Sequence, residues 1–181
     1  MRDGNGAVPR IGVVDTMFAR YDMGAVAERE LEGLRERGEP FEVVRRTVPG
    51  FKDLAVEAKI LIEREHCSVV VALGMPGQAK LDVICASEAS NAIAMAQLMT
   101  NTHILEVFVH TIEEDDPEKL AAVCEDRAAK HARNAYWMIF EPEQLSRRAG
   151  QGIRQGYADA GPLMAEQAGG GAAQPGAGAT A

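Results

Sequence analysis

The sequence has little of what a membrane protein or a nucleic-acid-binding protein needs. None of its 181 residues lies in an uninterrupted apolar run of the roughly 18 residues that span a bilayer, and the N-terminus lacks the basic and then apolar order of a signal peptide. Its 19 Lys and Arg are outnumbered by 27 Asp and Glu, and the net charge of −8 opposes contact with a phosphate backbone. We therefore expect a soluble cytoplasmic protein that binds neither membranes nor nucleic acid.

Cysteine is scarce and the common catalytic motifs are missing. The three cysteines, Cys67, Cys85 and Cys124, show no CxxC spacing, which favours small buried thiols over metal or redox chemistry. The chain contains no GxxxxGKS/T, GxGxxG, HExxH or GxSxG motif, which excludes the usual nucleotide-binding and hydrolase classes. The acidic run Glu113–Asp116 precedes Pro117 and is typical of a helix start. We predict no metal site.

Apolar runs alternate with amphipathic segments along the chain. The clearest run, Val69–Leu73, ends at Gly74-Met75-Pro76-Gly77, and a helical pattern follows. This order predicts a strand buried on both faces, a turn and a helix. Further strands are predicted at 10–15, 41–48 and 103–110, and helices from about Val26 to Gly38, from an Asp53 cap, at 83–99 and at 117–140. The pattern indicates an α/β fold: a four-stranded parallel sheet flanked by helices on both faces.

One domain accounts for residues 10–162. The polar residues 1–9 are expected to be a flexible N-terminus, and Glu143–Gly161 a surface or subunit arm. Residues 163–181 form a Gly- and Ala-rich tail. We expect this tail to be disordered, because it cannot bury enough apolar area to offset the entropy of ordering.

Candidate site residues follow the predicted strands, at the carboxyl edge where open parallel sheets bind ligands. Phe18 and Phe51 can stack on a planar ring or simply plug the strand ends. The turns at Pro49-Gly50 and Pro76-Gly77 either offer backbone N–H groups to a ligand or serve as turns alone. Donors, acceptors and proton carriers come from Lys52, Asp53, Lys80, Asp82 and His110.

Eight segments occur in order along the chain: IGVVDTMFAR (11–20), TVPGFKDL (47–54), ALGMPGQA (72–79), CASEAS (85–90), AQLMTN (96–101), EVFVH (106–110), AGQGIRQG (149–156) and DAGP (159–162). Together they resemble the archaeal-type riboflavin synthases, a family similar to 6,7-dimethyl-8-ribityllumazine synthase. The resemblance implies a flavodoxin-like, lumazine-synthase-like fold and a homopentamer with sites between subunits. The small residues of the third helix would then pack against a neighbouring subunit, the alternative being that they only favour helix formation.

The resemblance also implies a reaction. Two molecules of 6,7-dimethyl-8-ribityllumazine would exchange a four-carbon unit, giving riboflavin and 5-amino-6-ribitylamino-pyrimidinedione. The sequence itself requires no cofactor, although a divalent cation such as Mg²⁺ can assist in this family. Loss of a proton from the 7-methyl group of one lumazine comes first, and most of the remaining work is the positioning of two flat rings.

Roles in this reaction are assigned by position. The catalytic group, which would stabilise the anion or move protons, comprises His110, Lys52 and Lys80. The residues expected to bind substrate are Asp15, Phe18, Ala19, Pro49, Gly50, Phe51, Asp53, Met75, Pro76, Gly77, Gln78 and Glu88.

Two alternatives stay open. A lumazine synthase would need a phosphate site, for which Arg127 and Lys80 are candidates, but the histidine that lumazine synthases carry after the third strand is missing from Met75–Asp82. A non-catalytic flavodoxin-like or receiver module would need a Ser/Thr-rich phosphate loop or paired acids after the first strand. Asp15–Ala19 offers neither.

Overall fold

The fold was described from a computed structural model of the chain, which covers residues 8–164. The elements are β1 (Arg10–Thr16), α1 (Met23–Arg35), β2 (Glu42–Val48), α2 (Phe51–Glu63), β3 (Cys67–Gly74), α3 (Lys80–Thr100), β4 (Ile104–Phe108), α4 (Pro117–Phe140) and α5 (Glu143–Arg148). Four parallel strands form one sheet in the order β2-β1-β3-β4. The predicted α/β class is confirmed. The predictions for residues 1–7 and for the tail from residue 165 onwards lie outside the described residues.

The register of the sheet brings the four strand ends to one edge. Asp15 of β1 is paired with Thr47 of β2 and with Leu73 of β3, and Gly74 is paired with Phe108 of β4. The loops that follow the strands therefore meet at this edge, as the parallel arrangement requires.

Each face of the sheet buries its own core, because successive side chains of a strand point to opposite faces. On the face covered by α1 and α4, Ile11, Val13 and Val71 pack with residues of both helices. On the face covered by α2 and α3, Val14 and Val70 pack with residues of those two helices. The continuous apolar run of β3 is thus explained by burial on both sides.

Three of the helix starts follow capping rules. Asp22 Oδ1 accepts the Ala25 amide at 2.9 Å and begins α1, and Asp116 Oδ1 accepts the Glu118 amide at 2.9 Å before Pro117. This confirms the helix-start interpretation of the acidic run for Asp116. Asp53, predicted to cap α2, instead lies one turn inside it. Gly50 is the N-cap, and Asp53 Oδ2 accepts its amide at 3.1 Å.

Most element bounds agree with the sequence pattern, and α4 matches at both ends. Two differences concern candidate site residues. α3 begins at Lys80, three residues before the predicted Val83, so Lys80 and Asp82 lie in its first turn. β4 ends at Phe108, so His110 lies in the following loop rather than in the strand.

The cysteines and α4 largely fit their predicted structural roles. Cys67 and Cys124 are buried, and burial raises the pKa of each thiol to about 11. Cys85 is half-buried, and all three are free thiols. On α4, Leu120, Cys124, Ala128 and Ala135 are buried as predicted, and so are Ala132 and Tyr136, whereas His131 and Met138 are half-buried.

After α4 the chain folds back over that helix. α5 packs on α4, and the Arg148 guanidinium lies 4.2 Å from the Trp137 ring centroid. Residues 149–164, here called the C-terminal arm, follow with neither helix nor strand. No helix within residues 8–164 is both long and apolar enough to cross a membrane.

Candidate active site

A cleft of about 520 Å³ opens at the carboxyl edge, on the side of the sheet where α4 begins. Its walls come from the β1–α1 loop, the β3–α3 turn and the β4–α4 loop. The lining residues are Arg20, Tyr21, Met75, Gly77, Gln78, Thr111, Glu114, Asp115, Pro117, Leu120 and Ala121. Three predicted binding residues, Met75, Gly77 and Gln78, are therefore brought together here.

Backbone hydrogen bonds fix these loops to one another. The Val109 amide donates to the Gly74 carbonyl at 3.0 Å, and the Thr111 amide donates to the buried Pro76 carbonyl at 2.9 Å. On the other side of β1, the Met17 amide donates to the Val48 carbonyl at 2.9 Å. The turn that follows β3 is thus bonded to the β4–α4 loop, and the start of the β1–α1 loop is bonded to the end of β2.

An aromatic group lies on the opposite side of the same edge. Phe18 packs edge-on against Phe51 with ring centroids 4.8 Å apart, and Phe51 lies 5.4 Å from Phe108. The prediction of an exposed-loop Phe51 is wrong: Phe51 is the first residue of α2 and only 6% exposed. Phe18 remains 46% exposed and keeps ring surface available for stacking.

Lys52 and Glu88 join the first turn of α2 to α3 beside these rings. Lys52 Nζ lies 2.5 Å from Glu88 Oε2, and both side chains are more than half exposed. The hydrogen bond to Glu88 raises the pKa of Lys52. Lys52 is therefore a cation at neutral pH, suited to stabilising an anion rather than to removing a proton.

His110 is half-buried in the β4–α4 loop. Glu106, which the sequence reading missed, lies close enough for the imidazole to lower its pKa, but burial raises that pKa more. The Ser90 hydroxyl donates to Glu106 Oε1 at 2.8 Å. Glu106 is therefore a half-buried carboxyl group with a raised pKa, two residues before the end of β4. Its signal in the sequence was a lone acid inside an apolar strand.

Two predicted carboxylate ligands are engaged within the protein. Asp15 is 6% exposed and accepts a hydrogen bond from Arg45 Nε at 3.0 Å. Arg45 also contacts Asp22 and Glu28, at 2.5 and 2.9 Å. Asp15 thus helps to anchor the base of the β1–α1 loop, although its Oδ1 atom has no hydrogen-bond partner among the described residues. Asp53 is exposed but caps α2.

The remaining predicted residues lie around the edge. Pro49 is exposed, Gly50 and Ala19 are half-exposed, and Pro76 is buried. Lys80 is exposed and forms no ion pair within residues 8–164. Gly77 has a packing reason to lack a side chain, because a Cβ atom there would lie 2.4 Å from Asp82 Oδ2.

A cluster that the sequence reading did not connect holds the β4–α4 loop to α4. Arg127 donates to Glu113 at 3.0 and 2.6 Å and to the Phe108 carbonyl at 2.8 Å. Burial raises the pKa of Glu113, but the hydrogen bonds from Arg127, Tyr157 and the His110 amide outweigh it and hold that pKa at about 2. Both terminal nitrogens of the Arg127 guanidinium thus donate to protein groups.

A parallel sheet with a ligand-sized cleft at its carboxyl edge is typical of an α/β protein that binds small molecules. The chain belongs to the 6,7-dimethyl-8-ribityllumazine synthase family, whose model matches residues 8–143.

Curated relatives place it among the archaeal-type riboflavin synthases of that family. A protein named riboflavin synthase from Methanothermobacter thermautotrophicus is 54% identical over 154 residues, which are 85% of this chain and 99% of that one. Riboflavin synthases from Aeropyrum pernix and Archaeoglobus fulgidus are 46% and 40% identical, over 84% and 86% of this chain and 97% and 99% of theirs. The riboflavin-synthase resemblance is confirmed.

Proposed function

We propose that this chain is a riboflavin synthase that converts two molecules of 6,7-dimethyl-8-ribityllumazine into riboflavin and 5-amino-6-ribitylamino-pyrimidinedione. The observation that carries the proposal is the 54% identity to a relative of that name over 85% of the chain. The net reaction moves four carbons from one lumazine to the other and involves no net oxidation.

Catalysis begins with loss of a proton from the 7-methyl group of one lumazine. His110, in the loop that follows β4, accepts that proton, and the Lys52 ammonium stabilises the resulting carbanion. The half-exposed Phe18 ring stacks on a pteridine, so the two rings are held within reach of each other. The carbanion then adds to the second ring, and later proton transfers release the two products.

The lumazine synthase alternative has less support. Its phosphate substrate needs a free cation, and Arg127 is occupied by Glu113, the Phe108 carbonyl and the overlying Tyr157 ring. Lys80 remains, but it lies on the exposed first turn of α3. The β3–α3 turn also lacks the histidine that the lumazine synthases carry.

We further propose that the chain works as a homopentamer in the cytoplasm, with sites between subunits. An exposed apolar face on α3, formed by Leu81, Ile84, Met95, Leu98 and Met99, supports the contact between copies. The three free thiols support a reducing compartment. Within residues 8–164, no group of three or more His, Cys, Asp or Glu side chains could hold a metal ion.

The test is riboflavin formation from purified 6,7-dimethyl-8-ribityllumazine, with both products quantified by chromatography. Equal amounts of the two products are expected, and kcat should fall at least about a hundredfold for His110→Ala and about tenfold for Lys52→Ala and Phe18→Ala. Lys59→Ala, which removes another ion-paired lysine of α2, is the matched control and should keep the wild-type rate. Absence of riboflavin with the wild-type protein would overturn the function, and wild-type rates in all three variants would overturn the site.

A further inference from the structure

The C-terminal arm crosses α4 and touches the β4–α4 loop through one side chain. The Tyr157 hydroxyl donates to Glu113 Oε2 at 2.6 Å, and its ring centroid lies 5.6 Å from the Arg127 guanidinium carbon. The Gly156 amide donates to Asp126 Oδ2 at 2.6 Å, and Lys130 Nζ donates to the Arg154 carbonyl at 2.9 Å. The arm is therefore fastened to α4 immediately before Tyr157 in the chain.

Glu113 connects Tyr157 to the loop that carries His110. Glu113 Oε1 accepts the His110 amide at 2.7 Å, and the Glu113 amide donates to the His110 carbonyl at 3.0 Å. The intervening Thr111 is bonded to Pro76 of the β3–α3 turn and lines the cleft. A hydroxyl in the arm is thus two hydrogen bonds away from the backbone of His110.

Tyr157 contributes little else to the fold. Its side chain is 49% exposed, whereas Glu113 and Arg127 have only 19% and 13% of their side chains exposed. Arg127 and the His110 amide both donate to Glu113 Oε1, whereas Arg127 and Tyr157 both donate to Oε2. The tyrosine hydroxyl therefore supplies one of the two hydrogen bonds that hold Oε2.

The arm lies beyond the match to the model of the 6,7-dimethyl-8-ribityllumazine synthase family, which ends at residue 143. The match to the M. thermautotrophicus riboflavin synthase covers 154 residues of this 181-residue chain and therefore continues into the arm.

We infer that Tyr157 is a positioning residue: its hydroxyl bond to Glu113 holds the β4–α4 loop in the conformation that places His110 for proton transfer. The inference rests on the proposed function and extends it to the arm. Proton transfer depends on sub-ångström placement more strongly than substrate binding does. Loss of the hydroxyl should therefore lower kcat and leave KM nearly unchanged.

The test compares Tyr157→Phe with Tyr136→Phe. The control also removes one tyrosine hydroxyl, which accepts the Glu39 amide at 3.4 Å on a part of α4 remote from the cleft. For Tyr157→Phe we expect kcat for riboflavin formation to fall about tenfold, with KM within about twofold of wild type, and faster hydrogen exchange at the His110 and Glu113 amides. Tyr136→Phe should retain wild-type kcat and wild-type exchange in this loop.

Three results would overturn the inference: wild-type kcat in Tyr157→Phe, unchanged loop exchange, or loss of the folded circular dichroism spectrum, which would make the role merely structural. A wild-type protein that forms no riboflavin would instead overturn the proposed function. Loop exchange in Tyr157→Phe would still report whether the arm holds the loop.

Discussion

At the scale of single residues, Gly74 decides how closely the aromatic group can pack against the end of β3. A Cβ atom at this position would lie 2.8 Å from Phe108 Cε1 and 2.9 Å from Phe51 Cε1. Neither ring can easily move aside, because Phe51 is buried and packs on both Phe108 and Phe18. The lack of a side chain at Gly74 therefore determines where the Phe51 ring, which contacts Phe18, can lie.

Gly74→Ala should lower the free energy of unfolding by about 1–3 kcal/mol, because the extra methyl group overpacks the aromatic group. Gly33→Ala in α1 is the control. Its Cβ would meet nothing closer than Arg37 Nη2 at 3.6 Å, so a helical alanine should stabilise by about 0.5–1 kcal/mol. Urea unfolding of both variants measures the difference, and equal stabilities would contradict the packing argument.

The sequence led to the right residue types at this scale but not always to the right surroundings. Phe18 was recognised as a rim aromatic, and it is one. Phe51 was given the same role because both follow a strand and a turn. Its burial depends on the start of α2 at Phe51 and on the ring of Phe108 from another strand. Local sequence holds no information about such a long-range contact.

At the scale of elements, the Glu113–Arg127 pair joins the β4–α4 loop to the third turn of α4. Folding lowers the pKa of Glu113 from an ordinary value of 4.5 to about 2. The ionised carboxylate therefore contributes stability above about pH 4.5, and that contribution is lost as the pH falls towards 2. The fall in the free energy of unfolding at acid pH should therefore report on the Glu113–Arg127 pair.

Glu113→Gln should cost about 1–2 kcal/mol of unfolding free energy at pH 7, allowing for solvent screening of a partly open pair. At pH 3 the difference from wild type should fall to about half of that or less, since the carboxylate advantage is then largely lost. Glu39→Gln is the control, because Glu39 is exposed and forms no ion pair in the described part of the chain. A pH-independent cost of Glu113→Gln in urea unfolding would refute the assignment.

Element positions were largely accessible from periodicity, as the match at both ends of α4 illustrates. The cluster of Glu113, Arg127 and Tyr157 was not, because its members come from a loop, a helix and an irregular arm far apart in sequence. Periodicity describes which face of an element is buried, but it does not identify which charged side chains meet across elements.

At the scale of the whole molecule, the predicted site residues are divided between two sides of the sheet edge. Met75, Gly77 and Gln78 line the cleft near α4, whereas Phe18 and Lys52 lie towards α2 and α3. The second group is flanked by the exposed apolar face of α3. This division favours a site completed by a neighbouring copy, in line with the proposed assembly.

Leu98→Glu should break the homopentamer without unfolding the subunit. Leu98 is 85% exposed in the isolated chain, and burial of a charge in an apolar interface is costly. Sedimentation should show wild-type protein at about five times the subunit mass of 19.4 kDa, and Leu98→Glu as smaller species with unchanged circular dichroism. Arg37→Gln, in the turn that follows α1 across the sheet, alters net charge by the same amount and should stay assembled. A pentameric Leu98→Glu would exclude this face from the interface.

The return of the arm upon itself has a consequence for how it moves. A Cβ on Gly152 would lie 2.3 Å from the carbonyl oxygen of Gly161, and the Ala160 amide donates to the Gly152 carbonyl at 2.9 Å. The two ends of this stretch are therefore tied together, with Tyr157 between them. A closed loop of this kind opens as one cooperative unit rather than fraying residue by residue. The arm therefore has a single closed state. Because warming favours the higher entropy of the released chain, it weakens all of the arm's contacts together.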